Sequence, residues 1–271
     1  MRPVCASPVP TKQRVHLRTD LRFLGYLPGM RLAEMTYEQV EKACAGRAVA
    51  IVPVGSVEPH GPHLPLDTDT TISETCAARA VKVLAEDGIT AVIAPSVPYG
   101  VTDYASGFAG AIGVPAEALT AMLRGIAEKL LACGFQHVCF VNNHLEPAHD
   151  AAVRASIADL PNGKASVACP LTRRWGRTLS DEFKRGDCHA GRYETSLVMA
   201  AGREVHGHDL PTVGLSLASA IKEGKKTFAE IGMDRAYTGA PSEATSAEGD
   251  DLYGRLVTMV VTEIKEGLAL A

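Results

Sequence analysis

The chain has 271 residues, of which 46% are hydrophobic, and this is enough apolar material to bury a full α/β core. Its formal net charge of −4 and its lack of a lysine or arginine patch argue against a nucleic-acid-binding protein. The sequence has neither a run of about 18 apolar residues nor the apolar core of a signal peptide, so we expect a cytoplasmic protein without a membrane partner.

We predict a single domain over residues 1–271, because nothing in the sequence requires a second one. Prolines interrupt residues 1–30, which we expect to form an irregular extension that wraps a neighbouring subunit or is disordered. The seven cysteines are odd in number and lack the close paired spacing of a metal-binding motif. They therefore fit reduced thiols.

Four apolar runs have the length of buried strands, and they alternate with helical patterns. The strands are predicted at residues 48–54, 90–95, 137–141 and 165–169. The helices are predicted near residues 70–86, 115–133, 147–159, 191–201 and 246–268. Such alternation is typical of parallel strands joined by right-handed helical crossovers, so we predict an α/β fold with a mainly parallel sheet.

Ligand-type side chains follow the first predicted strand directly, in the turn-rich loop of residues 55–69. In open α/β sheets, small molecules and ions bind outside the carboxyl ends of the strands. Glu58 and His60 are two residues apart, so in extended backbone both side chains point the same way and can bind a cation. An ordinary surface loop in which Asp67 or Asp69 caps the next helix is the alternative.

Two further clusters repeat this chemistry. His144 and Glu146 follow the third predicted strand, again two residues apart, and His189 and Glu194 stand at the start of the helical pattern near residue 191. Structural alternatives exist here too, namely a hydrogen-bonded loop histidine and acidic residues at helix N-termini. Imidazole and carboxylate without thiolate suit zinc, manganese or iron(II) rather than copper(I) or an iron–sulfur cluster.

Together the clusters resemble the creatininase (creatinine amidohydrolase) family. The matching segments are Gly-Ser-x-Glu-x-His-Gly-x-His from residue 55 with a following aspartate, His144-x-Glu146, and His189-Ala-Gly-x-x-Glu194-Thr-Ser. The resemblance extends over residues 35–255 and implies a creatininase-like three-layer α/β/α sandwich. It also implies a homo-oligomer, often a hexamer, and a centre of two divalent metal ions of zinc, manganese or iron type.

The resemblance implies a role for each matched residue. The implied terminal metal ligands are Glu58, His60, His144 and Glu146. Asp69 is implied as the carboxylate that bridges the two ions. The two ions together would lower the pKa of a water molecule that they share towards neutrality. We expect His189 to protonate the departing nitrogen, and Glu194 to orient His189 or a metal-bound water.

The expected activity is that of a metal-dependent amidohydrolase acting on a small molecule. We expect it to cleave a non-peptide C–N amide bond, in a cyclic amide or a formamide, or the bond of a small peptide. A non-catalytic metal-binding protein is the first alternative. A dinuclear hydrolase of another bond, such as a keto-inositol ring or a phosphoester, is the second.

Two departures from the family concern the substrate pocket, and the first argues against creatinine as the substrate. Trp175 is the only tryptophan, and Arg185 occupies the place where the creatininases proper carry one that flanks the substrate. The glycine-rich segment of residues 99–110 lacks the family's histidine and its Phe-Pro-Gly-Thr run, although its length is typical of a lid. The chain therefore resembles the deformylase or mycofactocin-type branches more closely.

Overall fold

A parallel sheet forms the centre of the protein in the computed structural model, which describes residues 30–270. Its strands are β1 (Ala48–Val54), β2 (Thr90–Ile93), β3 (His137–Asn142) and β4 (Ala165–Ala168), in the order β2-β1-β3-β4. Every described strand pair is parallel. All seven residues of β1 are buried, as expected for a strand covered on both faces. The four predicted strands are confirmed, with boundaries that differ by at most two residues.

Ten α-helices lie within residues 30–270. They are α1 (Tyr37–Cys44), α2 (Thr68–Glu86), α3 (Ala116–Ala132), α4 (Pro147–Ile157), α5 (Arg173–Gly176), α6 (Asp181–Arg185), α7 (Arg192–Ala200), α8 (Leu217–Lys222), α9 (Phe228–Ile231) and α10 (Ser246–Leu270). Short 3₁₀ helices occupy Leu32–Glu34 and Pro241–Glu243. All five predicted helices are present. None of the helices in this part of the chain has both the length and the apolar character needed to cross a bilayer.

The prediction missed α1 although its start signal is visible in the sequence. The Thr36 side chain accepts a hydrogen bond from the Gln39 amide, and the Gln39 side chain accepts one from the Thr36 amide. This reciprocal pair is the capping box, whose sequence pattern is Thr-x-x-Gln. The other four unpredicted helices, α5, α6, α8 and α9, have at most six residues each, too few to show helical periodicity.

Helices cover both faces of the sheet and so form three layers. Side chains alternate between the two faces along a strand. On one face Val49 and Ile51 pack in a core shared with α2, α7 and α10. On the other face Ala50 and Val52 pack in a core shared with α1, α3 and α4. The α/β/α sandwich is therefore confirmed. The single domain over residues 1–271 stays a prediction. The irregular extension that we predicted for residues 1–30 lies, up to residue 29, outside the described residues.

The strand order places two loops side by side. From β1 the chain crosses to β2 through α2 on one face, and from β2 it returns to β3 through α3 on the other. The carboxyl ends of β1 and β3 are therefore neighbours, with Val54 paired to Asn142. Such a reversal of direction is where open α/β sheets leave a crevice for ligands. The loops that begin at residues 55 and 143 both enter this crevice.

Candidate metal centre

The predicted site residues meet in this crevice. They are Glu58, His60, Asp69, His144, Glu146, His189 and Glu194, and each is at most 7% exposed. Burial of this many titratable groups is inconsistent with a solvated surface loop, because a charged side chain loses hydration there unless partners compensate. The three clusters therefore form one buried site.

Asp69 lies between two histidines. Its Oδ1 is 3.2 Å from Nε2 of His60, and its Oδ2 is 3.1 Å from Nδ1 of His144. Asp67, not Asp69, occupies the N-cap position of α2, where it makes no capping hydrogen bond and pairs with Arg203 at 2.9 Å. The alternative in which Asp69 caps the helix is therefore wrong. Its two oxygens face opposite sides of the cluster.

Backbone carbonyls fix the orientation of both histidines. Nδ1 of His60 donates to the Glu58 carbonyl at 3.1 Å, and Nε2 of His144 donates to the Val101 carbonyl at 2.6 Å. The second nitrogen of each ring then points into the cluster. Metal-binding histidines commonly donate their outer N–H to a carbonyl in this way, because the bond sets the tautomer and the ring plane.

The side chains fall into three groups whose ligand atoms lie within 4.8 Å of one another. The groups are Glu58 with His144 and Glu146, His60 with Asp69 and Glu194, and Glu58 with His60 and His189. Nε2 of His60, Nδ1 of His144 and Oδ2 of Asp69 are buried, and their contacts of 3.1 and 3.2 Å within the cluster do not have the geometry of hydrogen bonds. Such orphaned nitrogen and oxygen atoms aimed at one point fit divalent zinc, manganese or iron.

His189 and Glu194 reach the cluster from the third segment. Nε2 of His189 donates to the Pro59 carbonyl at 3.1 Å, and its Nδ1 lies 4.0 Å from Oε1 of Glu58. Oε2 of Glu194 accepts from the Ala190 amide at 2.7 Å and lies 3.5 Å from Nε2 of His60. Glu194 therefore stands beside a candidate ligand, where orientation of His189 is not required of it and where either orientation of a metal-bound water or metal binding is open to it.

The segment of residues 99–110 lies against the cluster. Glu146 accepts hydrogen bonds from the amides of Asp103 at 3.1 Å and Tyr104 at 3.3 Å. The Thr102 hydroxyl donates to Oε2 of Glu58. This segment, whose length is typical of a lid, is thus held to two of the candidate ligands.

Protons balance the buried carboxylates in the metal-free protein. Burial disfavours charge on His60, but the carboxylates of Asp69 and Glu194 outweigh it and raise the His60 pKa to about 10. Burial also opposes ionisation of Glu58, yet His144 outweighs it and lowers the Glu58 pKa to about 2. Burial raises the pKa of Glu194 to about 8. Cations would replace these protons, because imidazole and carboxylate bind metals in their deprotonated forms.

His149, which we did not predict, supports His144 through Val101. Its Nδ1 accepts from the Val101 amide at 3.2 Å, and the carbonyl of the same residue holds His144. Burial and the neighbouring His144 lower the His149 pKa to about 3, so its ring is a neutral acceptor. A Cβ at Gly100 would lie 2.5 Å from this ring, so the position has room only for glycine. No sequence motif marks the contact, because Val101 approaches from a distant loop.

We expect His149→Phe to weaken metal affinity by about 10–100-fold, the usual cost of losing a residue that orients a ligand. The substitution leaves the Val101 amide unpaired and frees the carbonyl that orients His144. Competition with a chromophoric chelator measures the affinity.

His137→Phe is the matched control for the loss of a buried histidine. His137 bonds Gly163 and Ser166 at the amino end of β3, away from the cluster. We expect that variant to lose stability and keep its metal affinity. An equal loss of affinity in both variants would contradict the positioning role of His149.

Neither Trp175 nor Arg185 contributes to the site. Nε1 of Trp175 donates to Glu263 at 2.7 Å within the core. The Arg185 side chain is 62% exposed and pairs with Asp187 at 3.3 Å. A cavity of about 150 Å³ opens onto the cluster, and neither side chain lines it. Trp175 and Arg185 therefore do not take the place of the tryptophans that we expect to flank the substrate in the creatininases proper.

Comparison with known proteins supports the resemblance to the creatininase family. Residues 33–264 match the family described as "Creatininase: Creatinine amidohydrolase". The chain belongs to the creatininase family. Over 228 residues it is 33% identical to the mycofactocin precursor peptide peptidase of Mycobacterium tuberculosis (strain ATCC 25618 / H37Rv), covering 79% of this chain and 83% of that relative.

Solved creatininase structures show the same fold. One described as "Creatininase Mn" and a creatininase variant of "Zn-Zn type" have TM-scores of 0.65, with 19% and 18% identity respectively. Each comparison covers 88% of this chain and 98% of the other. The predicted resemblance is confirmed, and the chain is a creatininase-family hydrolase with buried histidine and glutamate clusters. The mycobacterial relative is a peptidase by name, so the non-peptide specificity that we expected is not confirmed.

Proposed function

We propose that this protein is a two-metal hydrolase that cleaves a C–N amide bond. The observation that supports this most directly is the Asp69 carboxylate, which places one oxygen beside His60 and the other beside His144. A carboxylate in this position can bridge two ions. A peptide bond in a small peptide is the first candidate substrate, because of the mycobacterial relatives, and a non-peptide amide is the second.

The residues divide between two ions in this proposal. Glu58, His144 and Glu146 would hold one ion, and His60 and Glu194 the other, with Asp69 shared between them. Glu194 thus moves from the orienting role expected from sequence to a ligand role, because its Oε2 is 3.5 Å from Nε2 of His60. When bound, the ions would supply Lewis acidity towards a water molecule and a carbonyl oxygen.

In this proposal His189 carries the proton. Its Nε2–H is committed to the Pro59 carbonyl, so the free Nδ1 of the neutral ring accepts a proton on the side facing Glu58. Burial and the nearby His60 lower its pKa to about 4 in the metal-free protein, which keeps the ring neutral. His189 would take a proton from the attacking water and return it to the departing nitrogen, because an amide anion is a poor leaving group.

A metal-dependent substrate screen tests the proposal. We expect purified protein loaded with zinc or manganese to release amine from at least one of three panels: short peptides, formamides and cyclic amides. A chelator should abolish the activity and added metal should restore it. Metal-replete protein that hydrolyses none of them would favour the non-catalytic alternative, and activity on phosphoesters alone would favour hydrolysis of another bond.

Homo-oligomer formation stays a prediction.

A further inference from the structure

We propose that the substrate carries an uncharged apolar group beside the scissile amide, and that the cavity over the cluster selects this group. The inference rests on the proposed function. Six large apolar side chains line the cavity, together with smaller ones: Leu145, Leu171, Phe183, Leu217, Ile221 and Phe228. They come from five separate parts of the chain. Of the described residues that line it, none is lysine or arginine, and the carboxylates all belong to the cluster.

The apolar wall begins directly at the proposed proton carrier. The ring centroids of His189 and Phe228 are 4.7 Å apart. Leu217 and Ile221 from α8 line the same cavity as Phe228. A substrate whose amide lies against the cluster must therefore place its adjacent substituent on these side chains. The cavity contacts the position next to the scissile bond rather than a remote part of the substrate.

The wall is supported by a small core of its own. Phe228 packs with Ala105 and Ala220, and its ring lies 6.4 Å from Tyr104 and 6.2 Å from Phe108. The segment of residues 99–110 and the helices α8 and α9 thus form one apolar unit. A wall that is already packed pays little ordering entropy when a ligand binds, and this favours selectivity.

Charge and volume restrict the occupant. A charged group in this cavity would lose hydration without meeting an opposite charge on the apolar walls, whereas an apolar group gains by leaving water. An apolar cavity of about this volume is known to accommodate a benzene ring. The 150 Å³ available here includes the space over the cluster, so it sets an upper limit for the group near the size of a leucine or phenylalanine side chain.

Binding of hydroxamic acids to the metal-loaded protein tests the proposal without requiring turnover. Two series are used, with the substituent on the carbonyl carbon or on the nitrogen. Each compares isobutyl and benzyl groups with carboxyalkyl and aminoalkyl groups of equal length. In at least one series we expect the apolar members to bind at least about tenfold more tightly, in line with the selectivity of apolar pockets. Equal or tighter binding of the charged members in both series would overturn the proposal.

Leu171→Lys tests the cavity itself. Leu171 is 40% exposed, so a lysine can be accommodated there without loss of folding, and Met122→Lys, at a residue 55% exposed on α3, is the control for added charge. We expect Leu171→Lys to weaken the apolar ligands and to strengthen the carboxylate-bearing ones by about tenfold or more. Met122→Lys should change neither. Identical changes in both variants would show that this wall does not select the substituent.

These outcomes separate the inference from the proposed function. Selective binding of apolar hydroxamates without hydrolysis of any amide would leave the cavity's selectivity standing and contradict the proposed activity. Equal rates of hydrolysis for amides with charged groups and amides with apolar groups would support the proposed activity and contradict the cavity's selectivity.

Discussion

We expect Asp69→Ala to lose both metal ions and to lower kcat by more than about 10³-fold, since the chemistry depends on ions that this carboxylate would share. Its oxygens lie 3.2 Å from His60 and 3.1 Å from His144, so its removal affects both halves of the site. A terminal ligand would affect only one half directly. Metal analysis of the purified variant and a turnover assay on one sample measure both effects.

Asp67→Ala is the control for Asp69→Ala. The two aspartates are two residues apart at the start of α2, but the Asp67 side chain is 46% exposed and pairs with Arg203. We expect Asp67→Ala to retain metal and activity. Asp69→Asn separates charge from shape, because it keeps the volume and removes the negative charge. Full metal content in Asp69→Ala, with a thermal midpoint equal to that of the parent, would refute the bridging role.

The long elements were predictable because their apolar patterns are complete. All seven residues of β1 are buried, and they form an unbroken apolar run in the sequence. In α2 the residues Ile72, Cys76, Ala80 and Leu84 recur at helical spacing, and all four are buried. The apolar residues of these elements are the ones that pack in the core, so their spacing in the sequence predicts the element.

The candidate site was predictable in composition and not in arrangement. Strand ends indicated where Glu58 and His144 would meet, because parallel strands share one carboxyl edge. The sequence could not indicate that Glu194 faces His60, since this depends on where α7 packs. Nor could it indicate that Val101 links His149 to His144, because such backbone contacts leave no side-chain pattern.

The cavity wall was the least predictable part. Leu217 and Ile221 stand on α8 and Phe228 on α9, helices of six and four residues. One or two apolar residues in so short a helix cannot define a face. Their place beside the cluster of candidate ligands depends on packing against the segment of residues 99–110. The selectivity that we propose thus depends on the segments in which the sequence pattern is weakest.

We expect His189→Ala to keep its metal content and to lower kcat by about 10²–10⁴-fold, the range for loss of a general acid or base. The Nδ1 atom is 4.0 Å from Glu58, whereas Nε2 is held by the Pro59 carbonyl. Removing the ring would delete the proposed proton carrier and leave the Asp69 carboxylate in place. Metal analysis and single-turnover kinetics on the same sample distinguish the two functions.

Chemical rescue separates proton transfer from a structural role of His189. The substitution opens space beside the cavity, so added imidazole should restore part of the turnover in His189→Ala and none in Asp69→Ala. His206→Ala is the control, because the His206 side chain is 62% exposed and its loss should leave turnover unchanged. His189 also belongs to a possible ligand group with Glu58 and His60. Metal loss in His189→Ala equal to that in Asp69→Ala, without rescue by imidazole, would assign His189 to the ligands instead.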